Sequence, residues 1–243
     1  MMLIDLHAHS SGISRCCRIP APEVLKHAMD RGIDGVVLCN HYARGYVEDG
    51  DVLEFVKRYV DEYEYMKQCG DEMGCKVLFG VEVTMDFDTR VHLLIYGVDR
   101  AFLEQYPLLY GYSQQELYQL VKAHGGTLVQ AHPFRGGTTV LDVHYLDGVE
   151  VNCHPKYGRS YYEELPAIAQ ENGLVLTCGG DYHADTYRAH CGMYLPDSLT
   201  DTKELAAYLR ETDHADLIVQ EPNTDASFQL HYARIGPKGD DRM

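Results

Sequence analysis

The sequence predicts an α/β fold built as a barrel of strand–helix units, and three observations predict it. Short apolar runs, many rich in β-branched residues, recur along the chain at Met2–Leu6, Gly35–Cys39, Val77–Val83, Thr127–Ala131, Gly148–Val151 and Leu174–Cys178. Runs of this kind suit parallel strands covered on both faces. Helical patterns lie between most of them, and strand followed by helix, repeated, gives βα units. The 243 residues fit one such unit, since α/β barrels of about 250 residues commonly form a single domain. Residues 1–243 are therefore read as one domain, with a polar tail over about 236–243.

The first run, Met2–Leu6, is followed by a helix over Ala21–Arg31, with Pro22 in its first turn and Gly32 just past its end. A second helix is read over Val52–Gln68. Val77–Val83 and the strand-like RVHLLIYG of Arg90–Gly97 are separated only by a short polar turn over Asp86–Thr89, which predicts a hairpin. The helix Ser113–His124 opens with a capping box, Ser113 with Glu116 three residues on. Tyr161–Glu171 is closed by Gly173, and Cys191–Leu195 and Asp216–Gln220 are further strand candidates.

Lys and Arg number 21 against 37 Asp and Glu, a net charge of −16, which opposes a strongly basic nucleic-acid binder. No run approaches the roughly 20 apolar residues needed to cross a bilayer, so no membrane partner is expected. The start MMLIDLHAHS has no basic segment followed by an apolar run. The eight cysteines include no CxxC pair and are read as reduced thiols of a cytoplasmic protein.

The ionisable residues concentrate at the ends of the predicted strands. Strand one ends Asp5-Leu6-His7-Ala8-His9, the second reaches Asn40-His41, the third Gly80-Val81-Glu82, and the next begins Val91-His92. Later strands end Ala131-His132-Pro133, Asn152-Cys153-His154 and Gly180-Asp181-Tyr182-His183. In a parallel barrel the strand C-termini share one face, so these side chains converge there. His7 and His9, two apart, share a strand face, with Asp5 behind them to accept a ring N–H. Buried imidazoles and carboxylates without a counter-charge cost desolvation energy, and divalent cations remove that cost. Imidazole with carboxylate favours Zn²⁺, Mn²⁺ or Fe²⁺ over Ca²⁺ or Mg²⁺. Seven or more ligands exceed the needs of one ion. The remaining histidines, His27, His124, His144, His190, His214 and His231, fit no strand-end pattern and are read as structural or surface residues.

Together the motifs DLHAHS, NHY with His41, GVE with Glu82, RVHLLIYG with His92, AHPF with His132, EVNCH and GGDYH with Asp181 and His183 resemble those of the PHP (polymerase and histidinol phosphatase) superfamily of metal-dependent phosphoesterases. The resemblance implies a distorted, TIM-like (βα)7 barrel with two or three divalent ions (Mn, Zn or Fe) at the C-terminal ends of the strands. It implies that His7, His9, Glu82 and Asp181 hold the first ion, and that Glu82 bridges to a second held by His92 and His132. His41 and His183 would belong to a third. Glu82, Asp181 and His183 are the catalytic candidates. Many relatives carry an aspartate shortly after the HxH pair, whereas this loop, Ser10 to Cys17, contains no acid.

The implied activity is hydrolysis of a small-molecule phosphate ester, such as a sugar, nucleotide or amino-alcohol phosphate, by a hydroxide that bridges the ions. Arg15, Arg44 and Arg135, with His154, are the candidate substrate contacts, and Arg18, Lys156 and Arg159 lie on similar loops. His154, Tyr42 or a water could serve as the acid for the leaving group. Cys16 and Cys17 lack a paired base and are read as bystanders. Competing readings are an exonuclease, an amidohydrolase, for which no strand end presents the lysine such enzymes commonly use, and a catalytically silent metal-binding module. The sequence does not define an oligomeric state.

Overall fold

Strand β1 (Met2–Ala8) is buried from Leu3 onward. The computed structural model describes residues 1–186 and 189–235, so the tail expected over 236–243 lies outside the described residues. After helix α1 (Ala21–Asp30), strand β2 (Gly35–Leu38) pairs in parallel with β1. The two-residue strand β3 (His41–Tyr42) and helices α2 (Arg44–Val47) and α3 (Val52–Met73) lead to β4 (Lys76–Thr84) and β5 (His92–Tyr96). Helix α4 (Arg100–Gln105) and helix α5 (Gln114–Ala123) precede β6 (Thr127–Gln130), which is followed by β7 (Gly148–Asn152), helix α6 (Leu165–Glu171) and β8 (Val175–Gly179). Strand β9 (Gly192–Leu195), helix α7 (Thr202–Glu211), β10 (His214–Gln220) and β11 (Ser227–Ala233) complete the described chain.

The strands form one barrel-shaped, nearly closed sheet in the order β11-β10-β9-β1-β2-β4-β5-β6-β7-β8, with β3 on β4. At the seam between β1 and the end of β8, the Asp181 N–H donates to the His7 carbonyl at 2.8 Å, and Ala8 bridges Tyr182 in parallel. The sheet is mixed, with more antiparallel pairing than the one expected hairpin in an otherwise parallel barrel. β5 runs antiparallel to both β4 and β6, and β9, β10 and β11 pair antiparallel. The β4–β5 hairpin expected from the short polar turn is present, and its register sets Thr84 opposite His92. Reversal therefore brings the start of β5 to the same end of the sheet as the end of β4.

The helices follow their sequence signals. Ser113 and Glu116 form the capping box of α5. Asp51 caps α3, which outlasts its predicted end and stops at Gly74, whose φ of 76° only glycine adopts without strain. Helix α6 starts later than predicted because residues 161–164 form a turn before Pro166 enters its first turn. Helix α3 turns Phe55, Val56, Tyr59 and Val60 onto the sheet. Inside the barrel the fully buried Tyr96 donates its phenol proton to the Leu6 carbonyl, tying β5 to β1. All eight cysteines are free thiols. Among the described residues no helix is long and apolar enough to cross a membrane.

Candidate metal centre

The strand-end side chains do converge. His7 and His9 on and after β1, Glu82 on β4 and Asp181 after β8 lie with one ligand atom each within 4.8 Å of one another. His41, Glu82 and His92 form a second such group, and His9, His41 and His183 a third. His132 joins at Glu82, with Nε2 3.1 Å from Oε1. His7, His9 and Glu82 are wholly shielded from solvent. Two of these positions, His132 at φ 30° and Asp181 at φ 50°, hold left-handed backbone that non-glycine residues rarely adopt. The sharp turn at the end of each strand directs its side chain inward.

Hydrogen bonds on the outer side of the rings fix which nitrogen carries the proton. Nδ1 of His7 donates to Oε1 of Glu150 at 2.9 Å. Ser14 gives its single hydroxyl proton to Asn40 Oδ1, so it accepts from Nδ1 of His9 at 3.0 Å. Nδ1 of His183 donates to the Asp181 carbonyl at 2.7 Å. In each ring Nε2 then carries a lone pair turned inward. Nε2 of His132 accepts from the Arg135 guanidinium at 3.2 Å, which can only donate.

Lone pairs consequently face lone pairs. Nε2 of His9 is 3.1 Å from Asp181 Oδ1, Nε2 of His7 is 3.0 Å from Nε2 of His9, and Nε2 of His132 faces Glu82 Oε1. Such an arrangement requires either extra protons or cations. Oε2 of Glu82 and Nδ1 of His132 are buried atoms without any hydrogen-bond partner, as a site built for cations would leave them.

The protein alone answers this crowding with protons. Burial opposes charge on His41, but Glu82 outweighs it and raises His41 to about 9. Burial is likewise overcome at His183, where Asp181 and Cys16 raise the ring to about 11. Burial would raise Glu82, yet His92, His41 and His7 hold its carboxyl well below the ordinary range. His9, buried beside His183 and His41, is pushed well below the usual imidazole value. The donor set, imidazole and carboxylate with lone pairs aligned, fits divalent transition-type ions that would take the place of those protons.

The residues proposed to contact substrate divide. Arg135 reaches the basin, its guanidinium stacked 4.7 Å from the Tyr157 ring centroid and bonded to His132. Arg15 is instead exposed and paired with Asp49, and Arg44 is paired with Asp86 and Glu48 at the rim. Arg159 is paired with Glu163 and Glu164. His154 stands beside Tyr157 and His183, with Nδ1 accepting the Lys156 N–H at 3.0 Å. Burial lowers its ring to about 4, so it is neutral with its proton on Nε2, a donor and not a ligand through that atom. Tyr42 is fully buried and donates to the Pro107 carbonyl, which removes it as an acid.

Asp5 does not accept a ring N–H. Its Oδ1 takes the backbone N–H groups of His7 and Gly180, and Glu150 fills the role expected of Asp5. Glu150 also accepts from the His132 N–H and from Asn152. Gly179 makes this approach possible, because a Cβ there would lie 2.5 Å from the His7 Cβ and 2.7 Å from Glu150 Oε1. The sequence analysis missed Glu150 and Tyr157, whose phenol donates to Asp181 Oδ2 at 3.2 Å. A lone carboxylate in the otherwise apolar strand GVEVN was the available signal. Cys16, read as a bystander, has its sulfur 3.1 Å from Nε2 of His41. The six histidines set aside as structural or surface residues belong to none of the three ligand groups.

No protein-family model matches the chain, and no curated protein matches it. Solved structures do share its fold. A protein from Bifidobacterium adolescentis, provisionally named a metal-dependent phosphoesterase, is 18% identical with a TM-score of 0.51, over 83% of this chain and 93% of that one. PsfC from Pseudomonas syringae is 18% identical with a TM-score of 0.57, over 94% of this chain and 91% of that one. An amidohydrolase from Chromobacterium violaceum, with bound sulfate and no metal, is 16% identical with a TM-score of 0.50, over 84% of this chain and 95% of that one. At these identities the likeness is one of fold, a barrel-like α/β architecture that occurs in proteins described as hydrolases.

Proposed function

We propose that this protein is a metal-dependent phosphoesterase of the PHP type that hydrolyses a small-molecule phosphate ester. The observation that carries the reading is a cationic donor beside a convergent set of lone pairs: Arg135, unlike Arg15 and Arg44, pairs with no carboxylate among the described residues. His7, His9, Glu82 and Asp181 would hold one ion, Glu82 with His92 and His132 a second, and His41 with His183 a third. Bound ions of this class supply Lewis acidity and an activated water.

The chain's own residues supply orientation and proton placement. Glu150, Ser14 and the Asp181 carbonyl hold the rings of His7, His9 and His183 with their lone pairs inward. Arg135 offers N–H groups to phosphoryl oxygens at the edge of the basin, the planar fork that phosphate recognition favours. Its stacking on Tyr157 holds that fork in place. His154 presents its Nε2 proton at the rim, where a leaving-group oxygen could take a hydrogen bond.

An amidohydrolase is the second reading, favoured by the fold shared with the Chromobacterium violaceum protein. Against it, the carboxylate of Glu82 stands at the centre of the cluster, and the ion-pair contacts made to it come from His7, His9, His41, His92 and His132, with no lysine among the described residues. Purified protein supplied with Mn²⁺ or Zn²⁺ is expected to hydrolyse p-nitrophenyl phosphate, to lose that activity on chelation, and to lose most of it on Arg135→Ala. Cleavage of p-nitrophenyl acetate or a p-nitroanilide, with no phosphatase activity under any metal, would overturn the phosphoesterase reading.

A further inference from the structure

We infer that Cys16 is a metal ligand, which with His41 and His183 holds a thiophilic divalent cation of the zinc, iron(II) or cobalt class at the outer edge of the basin. The inference rests on the metal-dependent reading above and adds to it a ligand and a metal preference. Nε2 of His41 lies 3.1 Å from the Cys16 sulfur and 3.2 Å from Nε2 of His183. Nε2 of His41 is thus the shared neighbour of the Cys16 sulfur and of the His183 ring. Metal–nitrogen bonds of about 2.0–2.1 Å and metal–sulfur bonds of about 2.3 Å imply donor separations of roughly 3.3–3.6 Å around a tetrahedral ion. The observed separations need only a few tenths of an ångström of expansion.

Each donor is prepared from behind. The His183 proton is held on Nδ1 by the Asp181 carbonyl, and the Nδ1 side of His41 faces Glu82. Nε2 of His41 is therefore the atom turned toward the sulfur, with Nε2 of His183 beside it. Oε2 of Glu82, wholly buried and without a hydrogen-bond partner, lies against His41 on the inner side and gives the ring a negative neighbour. Tyr46 stands beside the His41 ring, with centroids 6.0 Å apart. The loop from Ser10 to Cys17 brings no carboxylate to this place, so the thiol is what it offers a cation.

The chemistry differs from that of the inner positions. His7, His9, Glu82 and Asp181 form a nitrogen–oxygen set open to manganese, whereas a thiolate with two imidazoles selects against hard ions. On binding, the thiol proton leaves to solvent and a metal–sulfur bond forms, with no change of oxidation state. Cys16 is exposed, so the cation would sit at the entrance where it can exchange.

The test loads the full chain with Co²⁺ and reads two quantities: metal equivalents by elemental analysis, and the near-ultraviolet thiolate-to-cobalt charge-transfer band. The wild type is expected to show the band. Cys16→Ala should lose it together with one equivalent of metal, and Cys16→Asp should regain the equivalent without the band. Unchanged thermal melting of the metal-free variants checks that the loop substitution spares the fold. Cobalt bound without the band, or a band that persists in Cys16→Ala, would overturn the assignment while leaving the inner metal centre standing. Failure to bind any cobalt would overturn this inference and the metal-dependent reading together.

Discussion

Two regions of the molecule crowd metal-binding side chains, and they are built on opposite principles. One is the basin around Glu82. The other is a wholly buried trio, Cys153, Cys178 and Cys191, whose sulfurs also lie within 4.8 Å of one another. In the basin, outer partners hold the protons on the far side of the rings and leave lone pairs facing inward. In the trio the protons are spent inside: Cys178 donates to the Ile218 carbonyl, and Cys153 lies 3.8 Å from Cys178 in a sulfur–sulfur contact. The trio belongs to the apolar core among Val151, Leu176 and Met193. Proximity of donor atoms is thus a weak criterion, and the second layer of contacts separates a prepared site from close-packed thiols.

The largest effect that could break this contrast is at Glu82. Glu82→Gln should lower hydrolysis by well over 100-fold and reduce bound metal, exceeding the roughly 10–100-fold cost typical of outer-layer changes. Retention of full metal content would remove the centre from Glu82. Glu150→Gln comes next. It keeps an acceptor near His7 but removes the charge, and an approximately 10-fold or greater loss of metal affinity by competition with a chelator is expected.

The third effect is on pH. His41 and His183, raised to about 9 and about 11, bind protons that a cation must displace. Metal affinity should therefore rise as pH increases from neutrality toward 9, by up to about tenfold per unit for each displaced proton. Titration calorimetry in buffers of differing ionisation enthalpy would report the released protons, and a heat independent of buffer would contradict the assignment. The smallest effect belongs to the trio. Cys178→Ala should leave metal content and activity unchanged and cost about 0.5–3 kcal/mol of stability, the ordinary range for a core change.

Much of this was legible from the chain. The apolar runs located most of the strands, and the histidines at their ends located the basin, because a residue's place along a strand survives whatever the neighbouring strands do. The direction of a strand does not: β5 reverses, yet His92 still arrives beside Glu82 because the tight turn returns the chain to the same end. Strand β11, with alternating exposure over SFQLHYA, was missed because its apolar residues are diluted by polar ones. The rim arginines misled for a different reason. Arg15 lies on the expected loop and Arg44 opens the short helix α2, but Asp49 and Asp86, which neutralise them, approach in space through chain paths that periodicity cannot reveal. Glu150 stands out in the sequence as a lone carboxylate in an apolar strand, but its partner is visible only once His7 is seen against it.

The seam between β1 and the end of β8 gives the basin a further role in assembling the fold. His9 follows the first strand and Asp181 the eighth, so a cation gripped by both would act as a clasp joining the first strand to the end of the eighth. Ties across so much sequence form late, because the intervening chain must already be in place. Once formed, such a tie makes the metal a fastener of the finished barrel as well as a tool of its chemistry, and loading should slow unzipping of that edge more than it hastens folding.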